Sequence, residues 1–103
     1  MMSAVQDVNE QNRVAVTLMQ ALWGVISPNF RMVALSVERP VWQLHFVLEK
    51  EDPVDREEIE DSVAEFDSLL DSGGCKFEVK IEVIAIDLLW PDQSFFVVYR
   101  RRE

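Results

Sequence analysis

Cysteine and histidine are nearly absent from this chain, which carries only Cys75 and His45. A single thiol closes no internal disulfide, and one histidine distant in sequence from one cysteine makes no metal-ligand set. Neither a disulfide scaffold nor a metal centre is expected, and no cofactor motif takes their place. Glycine is scarce too: Gly24 falls within a helical pattern, and Gly73-Gly74 reads as a helix stop. That leaves no glycine-rich loop able to cradle a phosphate. No apolar run approaches the roughly 20 residues needed to span a bilayer. The opening stretch, Met1 to Glu10, has neither the basic nor the apolar region of a secretory signal. A cytoplasmic protein with no membrane role is the expectation.

Basic residues are the other shortage, 10 against 19 acidic ones, for a net charge of −9. Nucleic-acid binding rests on clustered Lys and Arg against phosphates, so nucleic acid is excluded as the expected partner. The one basic run, Arg100-Arg101-Arg102, reads as a solvated tail. A negative field of this size suits the steering of a basic protein partner.

What is present is globular. The 103 residues are 49% apolar, enough for one domain with its own core. A single domain over residues 1–103 is expected, frayed at 1–6 and 102–103. From Asp7 to Ile26, Val8, Val14, Leu18, Leu22 and Ile26 recur about every fourth residue, with Met19 and Trp23 alongside. This predicts a helix, stopped by Ser27-Pro28-Asn29. Phe30 to Glu38 reads as a strand of weak facial contrast, with Phe30, Met32 and Ala34 opposing Arg31, Val33 and Leu35. Val41 to Lys50 is a clearer strand, placing Trp42, Leu44, Phe46 and Leu48 on one face. The short Arg39-Pro40 link implies a hairpin between the two.

A second helix is predicted from about Val54 to Asp71, its inner stripe being Ile59, Val63, Phe66 and Leu70. Lys76 to Ile84 alternates Phe77, Val79, Ile81 and Val83 with Lys76, Glu78, Lys80 and Glu82. A last strand runs from Ser94 to Arg101. The order α-β-β-α-β-β predicts an α+β fold, a two-layer sandwich with two helices on one face of a four-stranded, mostly antiparallel sheet.

Little in the chain suggests catalysis. His45 and Cys75 lack the local signature of a nucleophile and its base, and His45 falls on the polar side of its strand. The chain is therefore read as a non-enzyme. What stands out is charge density: eleven carboxylates and two bases, Lys50 and Arg56, lie between Glu49 and Asp71. Glu57, Glu58, Asp61 and Glu65 project opposite the apolar stripe of the second helix, three of them at i, i+4, where like charges repel. Those four residues are the candidate partner-binding surface. Trp90, beside Pro91 in a loop, is a candidate aromatic anchor. The last strand carries apolar residues on both faces, Phe95, Val97 and Tyr99 against Phe96 and Val98. Both its sides want cover.

The segment Leu22-Trp23-Gly24-Val25-Ile26-Ser27-Pro28-Asn29-Phe30-Arg31 resembles a helix-end pattern of small bacterial immunity proteins of contact-dependent growth inhibition and related polymorphic toxin systems. Glu65-Phe66, and Asp87 and Pro91 followed by Val98-Tyr99-Arg100-Arg101, are similar to the same family. The resemblance implies a cytoplasmic protein that binds the C-terminal toxin domain of a delivered effector and occludes its active site. Many such toxins are nucleases with cationic clefts, for which an acidic surface would substitute for the nucleic-acid backbone. In that reading Ser27, Pro28, Asn29 and Arg31 shape the fold. The alternative is a non-catalytic structural or interaction module, one form of which is a homodimer packed through its open sheet face.

Overall fold

The computed structural model describes residues 2–37, 41–70, 76–91 and 95–103, with side chains from residue 10 onward except that of residue 76. Cys75, Arg39-Pro40 and Gly73-Gly74 lie outside the described residues. The elements run α1 (Met2–Ala21), β1 (Phe30–Ser36), β2 (Val41–Leu48), α2 (Pro53–Leu70), β3 (Lys76–Val83) and β4 (Phe96–Arg100). This is the predicted order.

Helix α1 ends at Ala21, before the predicted Ile26, because Gly24 is its stop and not an interior residue. Gly24 takes the left-handed φ of 79° that favours glycine. Leu22 and Trp23 still donate back into the last turn, to Leu18 and Gln20. Val14, Leu18 and Leu22 are buried, but Trp23 and Met19, expected beside them, are 89% and 44% exposed. The Ser27-Pro28-Asn29 corner is then fixed by the Ser27 hydroxyl, which accepts from the Asn29 amide at 3.2 Å.

The sheet order is β3-β2-β1-β4. β1 pairs antiparallel with both β2 and β4, whereas β2 and β3 run parallel. The parallel pair follows from α2, which gives the crossover that such strands require. Both helices lie on one face. There Ile59, Phe66 and Leu70 of α2 and Val14, Leu18 and Leu22 of α1 share a core with Trp42, Leu44, Phe46 and Leu48. Val79, expected in that core, is 40% exposed, because β3 is an edge strand and only its inner flank is covered.

Two bulges overturn the predicted facing of β1 and β4. The register slips between Phe30 and Met32, so Phe30 shares the helix side with Val33 and Leu35 and not with Met32 and Ala34. A second slip skips Val98, so Tyr99 joins Phe96 on the helix side, away from Phe95 and Val97. One inserted residue reverses every later side chain on a strand of period two.

The face opposite the helices is not open. Met32, Ala34 and Val47 are buried there beneath Ile84, Leu88, Phe95 and Val97, so the segment between β3 and β4 forms a partial second layer. β1, central and covered on both sides, is buried along its whole length. Arg31 ties the layer down. Its Nη1 donates to the carbonyls of Ile84 and Ile86, both at 2.6 Å, while Nε and Nη2 donate to Glu103 at 2.7 and 2.8 Å.

Candidate partner-binding surface

Helix α2 starts where the sequence gives it a cap. Asp52 Oδ1 accepts from the amides of Val54 and Asp55 at 2.9 and 3.2 Å, and Pro53 occupies the first helical position, where no amide donor is needed. Asp55 is buried and accepts a 2.9 Å bond from Asn29 Nδ2. Asn29 also bridges to Lys50, donating to its carbonyl and accepting from its amide. Asn29 therefore pins the helix start to the β2 end. Ser27, Asn29 and Arg31 each make hydrogen bonds that shape the fold here.

Inside, Ile59, Phe66 and Leu70 are buried as predicted, with Val63 packed against the core. Ser62 was not foreseen there. It is buried and donates to the Ile59 carbonyl, a bond within its own helix that makes its burial tolerable. Outside, Glu57, Glu58, Asp61 and Glu65 are all exposed on one helix. Among the described residues no ion pair joins any of the four. The only base of the helix, Arg56, is held by Glu51 through both oxygens of its carboxylate, which pulls the Glu51 carboxyl below its ordinary range. Among the described residues the acidic face thus has no ion-pair partner for its charge.

Of the basic run at 100–102, expected as a solvated tail, Arg102 is exposed but Arg100 and Arg101 are engaged by the fold. Arg101 donates to the Pro28 carbonyl at 2.9 Å and to Glu49 and Glu103 at 2.8 Å each. Those bonds hold Glu49 below the usual carboxylate range and, with Arg31 as the first cause, bring Glu103 down to about 2. Glu103, expected to fray, is a fixed partner. Arg100 stacks its guanidinium 4.4 Å over the Trp90 ring. Trp90 is 64% exposed beside Leu89 at 82% and Ile86 at 78%. This apolar trio rides on the segment that covers the face opposite the helices. The structure therefore does not bring Trp90 together with the acidic face of α2.

His45 lies on that second face, its Nε2 2.6 Å from Glu82 Oε1 and its ring edge-on to Phe95. A groove of about 720 Å³ runs past it, lined among the described residues by Gln43, Leu44, Glu78, Val79, Lys80, Pro91 and Phe95. No hydroxyl or thiol side chain is among those described lining residues. No group of three or more potential metal ligands occurs among the described residues, and no helix of theirs is long and apolar enough to cross a membrane.

No curated protein matches the chain. Residues 11–103, however, match the family described as MafI2 immunity protein, covering α1 from Gln11 onward and the whole sheet. That match accords with the polymorphic-toxin resemblance read from Leu22 to Arg31 and Glu65-Phe66, and the chain belongs to the MafI2 immunity protein family.

Proposed function

We propose that this immunity protein acts in the cytoplasm, without chemistry of its own, by binding the C-terminal domain of a cognate toxin and occluding a cationic active cleft. A nuclease is the toxin class that best fits such a cleft. The observation that carries the reading is the α2 face of Glu57, Glu58, Asp61 and Glu65, whose helix spends its only base on Glu51. Carboxylates in a row with no internal counter-charge resemble a phosphate backbone electrostatically, and opposite fields steer association. Trp90, on the other side of the sheet, would serve as a separate apolar contact.

The test is competition. The purified toxin domain is titrated with this protein while nucleic-acid binding and cleavage are both followed. Occlusion predicts stoichiometric loss of both. A tight complex in which the toxin still binds nucleic acid would leave the immunity role intact and end the occlusion reading.

A further inference from the structure

The sheet has two edges, and they are unequal. β4 is five residues long and bulged at Val98, and bulges and shortness are how edges are blunted. β3 is eight residues long and pairs with β2 in unbroken register from Lys76 to Val83. Among the described residues its outer side meets no other strand.

The charges on β3 are self-complementary. Set against an antiparallel copy of itself with Val79 opposite Val79, Glu78 falls opposite Lys80 and Phe77 opposite Ile81. Position 76, a lysine, falls opposite position 82, a glutamate. Both slips by two residues fail. One sets Glu78 against itself and position 76 against Lys80, and the other sets Lys80 against itself and Glu78 against Glu82. A slip by one residue turns the charged face toward the apolar one. Opposite charges also meet in the registers centred on Phe77 and on Ile81, but each of those aligns fewer residues of β3 and makes two such pairs, whereas the Val79 register makes four, and like charges directly opposite are destabilising.

The side chains are poised for it. Glu78 is exposed, and Lys80, 68% exposed, has only a 3.8 Å approach to Glu82 within its own chain. On the helix side Val79 and Val83 are 40% and 41% exposed at the edge, apolar surface that a neighbouring strand would shield. We propose that two copies of this chain join by antiparallel pairing of their β3 edges into one eight-stranded sheet. The −9 charge on each copy opposes the approach, so association should strengthen with salt.

The experiment is sedimentation velocity on the protein alone, across a wide concentration range at low and high salt. No toxin is present, so the result is independent of the toxin-binding proposal. The parent should form dimers that tighten with salt. Lys80→Glu and Glu78→Lys each create two like-charged cross-strand pairs and should weaken dimerisation by about tenfold. The double exchange, Glu78→Lys with Lys80→Glu, restores opposite pairs in the same register and should recover the dimer, with circular dichroism confirming the fold of each variant. A parent monomeric throughout overturns the proposal and leaves the edge for a strand of some other protein. A dimer indifferent to the single exchanges, or not recovered by the double one, overturns it too.

Discussion

Arg31 and Glu103 stand 72 positions apart in the chain and meet through two hydrogen bonds of 2.7 and 2.8 Å. The fork of the guanidinium matches the carboxylate, a geometry that lysine cannot reproduce. Arg31 is 6% exposed and sits in the β1 bulge, so its charge is tolerable only because Glu103 and two carbonyls answer it. Arg31 thereby joins the start of the sheet, the covering segment at Ile84 and Ile86, and the last residue described. Arg31→Lys should loosen that segment first, seen as faster amide exchange at 84–91 while the β1–β2 amides stay protected.

The same pair predicts a pH dependence. The Glu103 carboxyl is lowered from 4.5 to about 2, first by its bonds to Arg31 and then by Arg101. A depressed folded pKa gives stability that is complete above the unfolded value and lost as pH falls through the folded one. The stability gap between parent and Glu103→Gln should be full at neutral pH, shrink below about 4.5 and close near 2. Denaturant melts at a series of pH values measure it, and a gap that stays constant down to that limit would sink the assignment.

Phe66 tests the packing of α2. It is fully buried and meets Phe77 edge-on, ring centroids 5.5 Å apart. Phe66→Ala should cost about 3–5 kcal/mol, as large-to-small core changes do. A loss below about 1 kcal/mol would mean that the site collapses around the gap or that the helix's inner face lies elsewhere.

Element order and the helix stripes were legible because period and stop signals are local. Ile59, Phe66 and Leu70 recur at helical spacing, and Trp42 to Leu48 alternates over a strand with no bulge. What escaped is what depends on partners distant in sequence. Nothing near Phe30 or Val98 announces a bulge, yet each bulge reverses the faces beyond it. The covering role of Ile84 and Leu88 could not be read without knowing that β1 is central. Arg100 and Arg101 looked solvated because their partners, Trp90 and Glu49, come together only in the fold. The acidic face of α2 was visible for the opposite reason: helical spacing alone puts its carboxylates together.

His45 offers a direct check on chemistry. Its contacts with Glu82 and Phe95 are structural, so His45→Ala should lower the melting temperature while toxin neutralisation stays intact below it. Cys75→Ser should leave neutralisation unchanged as well. Loss of neutralisation by a variant that remains folded would bring the enzyme reading back.

The acidic face carries the decisive prediction. If it meets a cationic cleft, association should exceed the roughly 10⁵–10⁶ M⁻¹s⁻¹ of unsteered pairs and fall with salt. Reversing Glu58, Asp61 and Glu65 to lysine should slow association without unfolding the protein, since exposed helical charges contribute little to stability. Glutamine at the same positions should give an intermediate rate. Cells with the triple reversal should lose protection against their own toxin while holding normal amounts of folded protein. Trp90→Ala separates the two surfaces, because the loss of an apolar anchor acts mainly on the dissociation rate. Because Trp90 and α2 lie on opposite sides of the sheet, the two sets of variants should not mimic each other. If the triple reversal binds and protects as the parent does at low salt, the acidic face is only solvated surface. Recognition would then fall to the exposed Ile86, Leu89 and Trp90, where Trp90→Ala should abolish protection by itself.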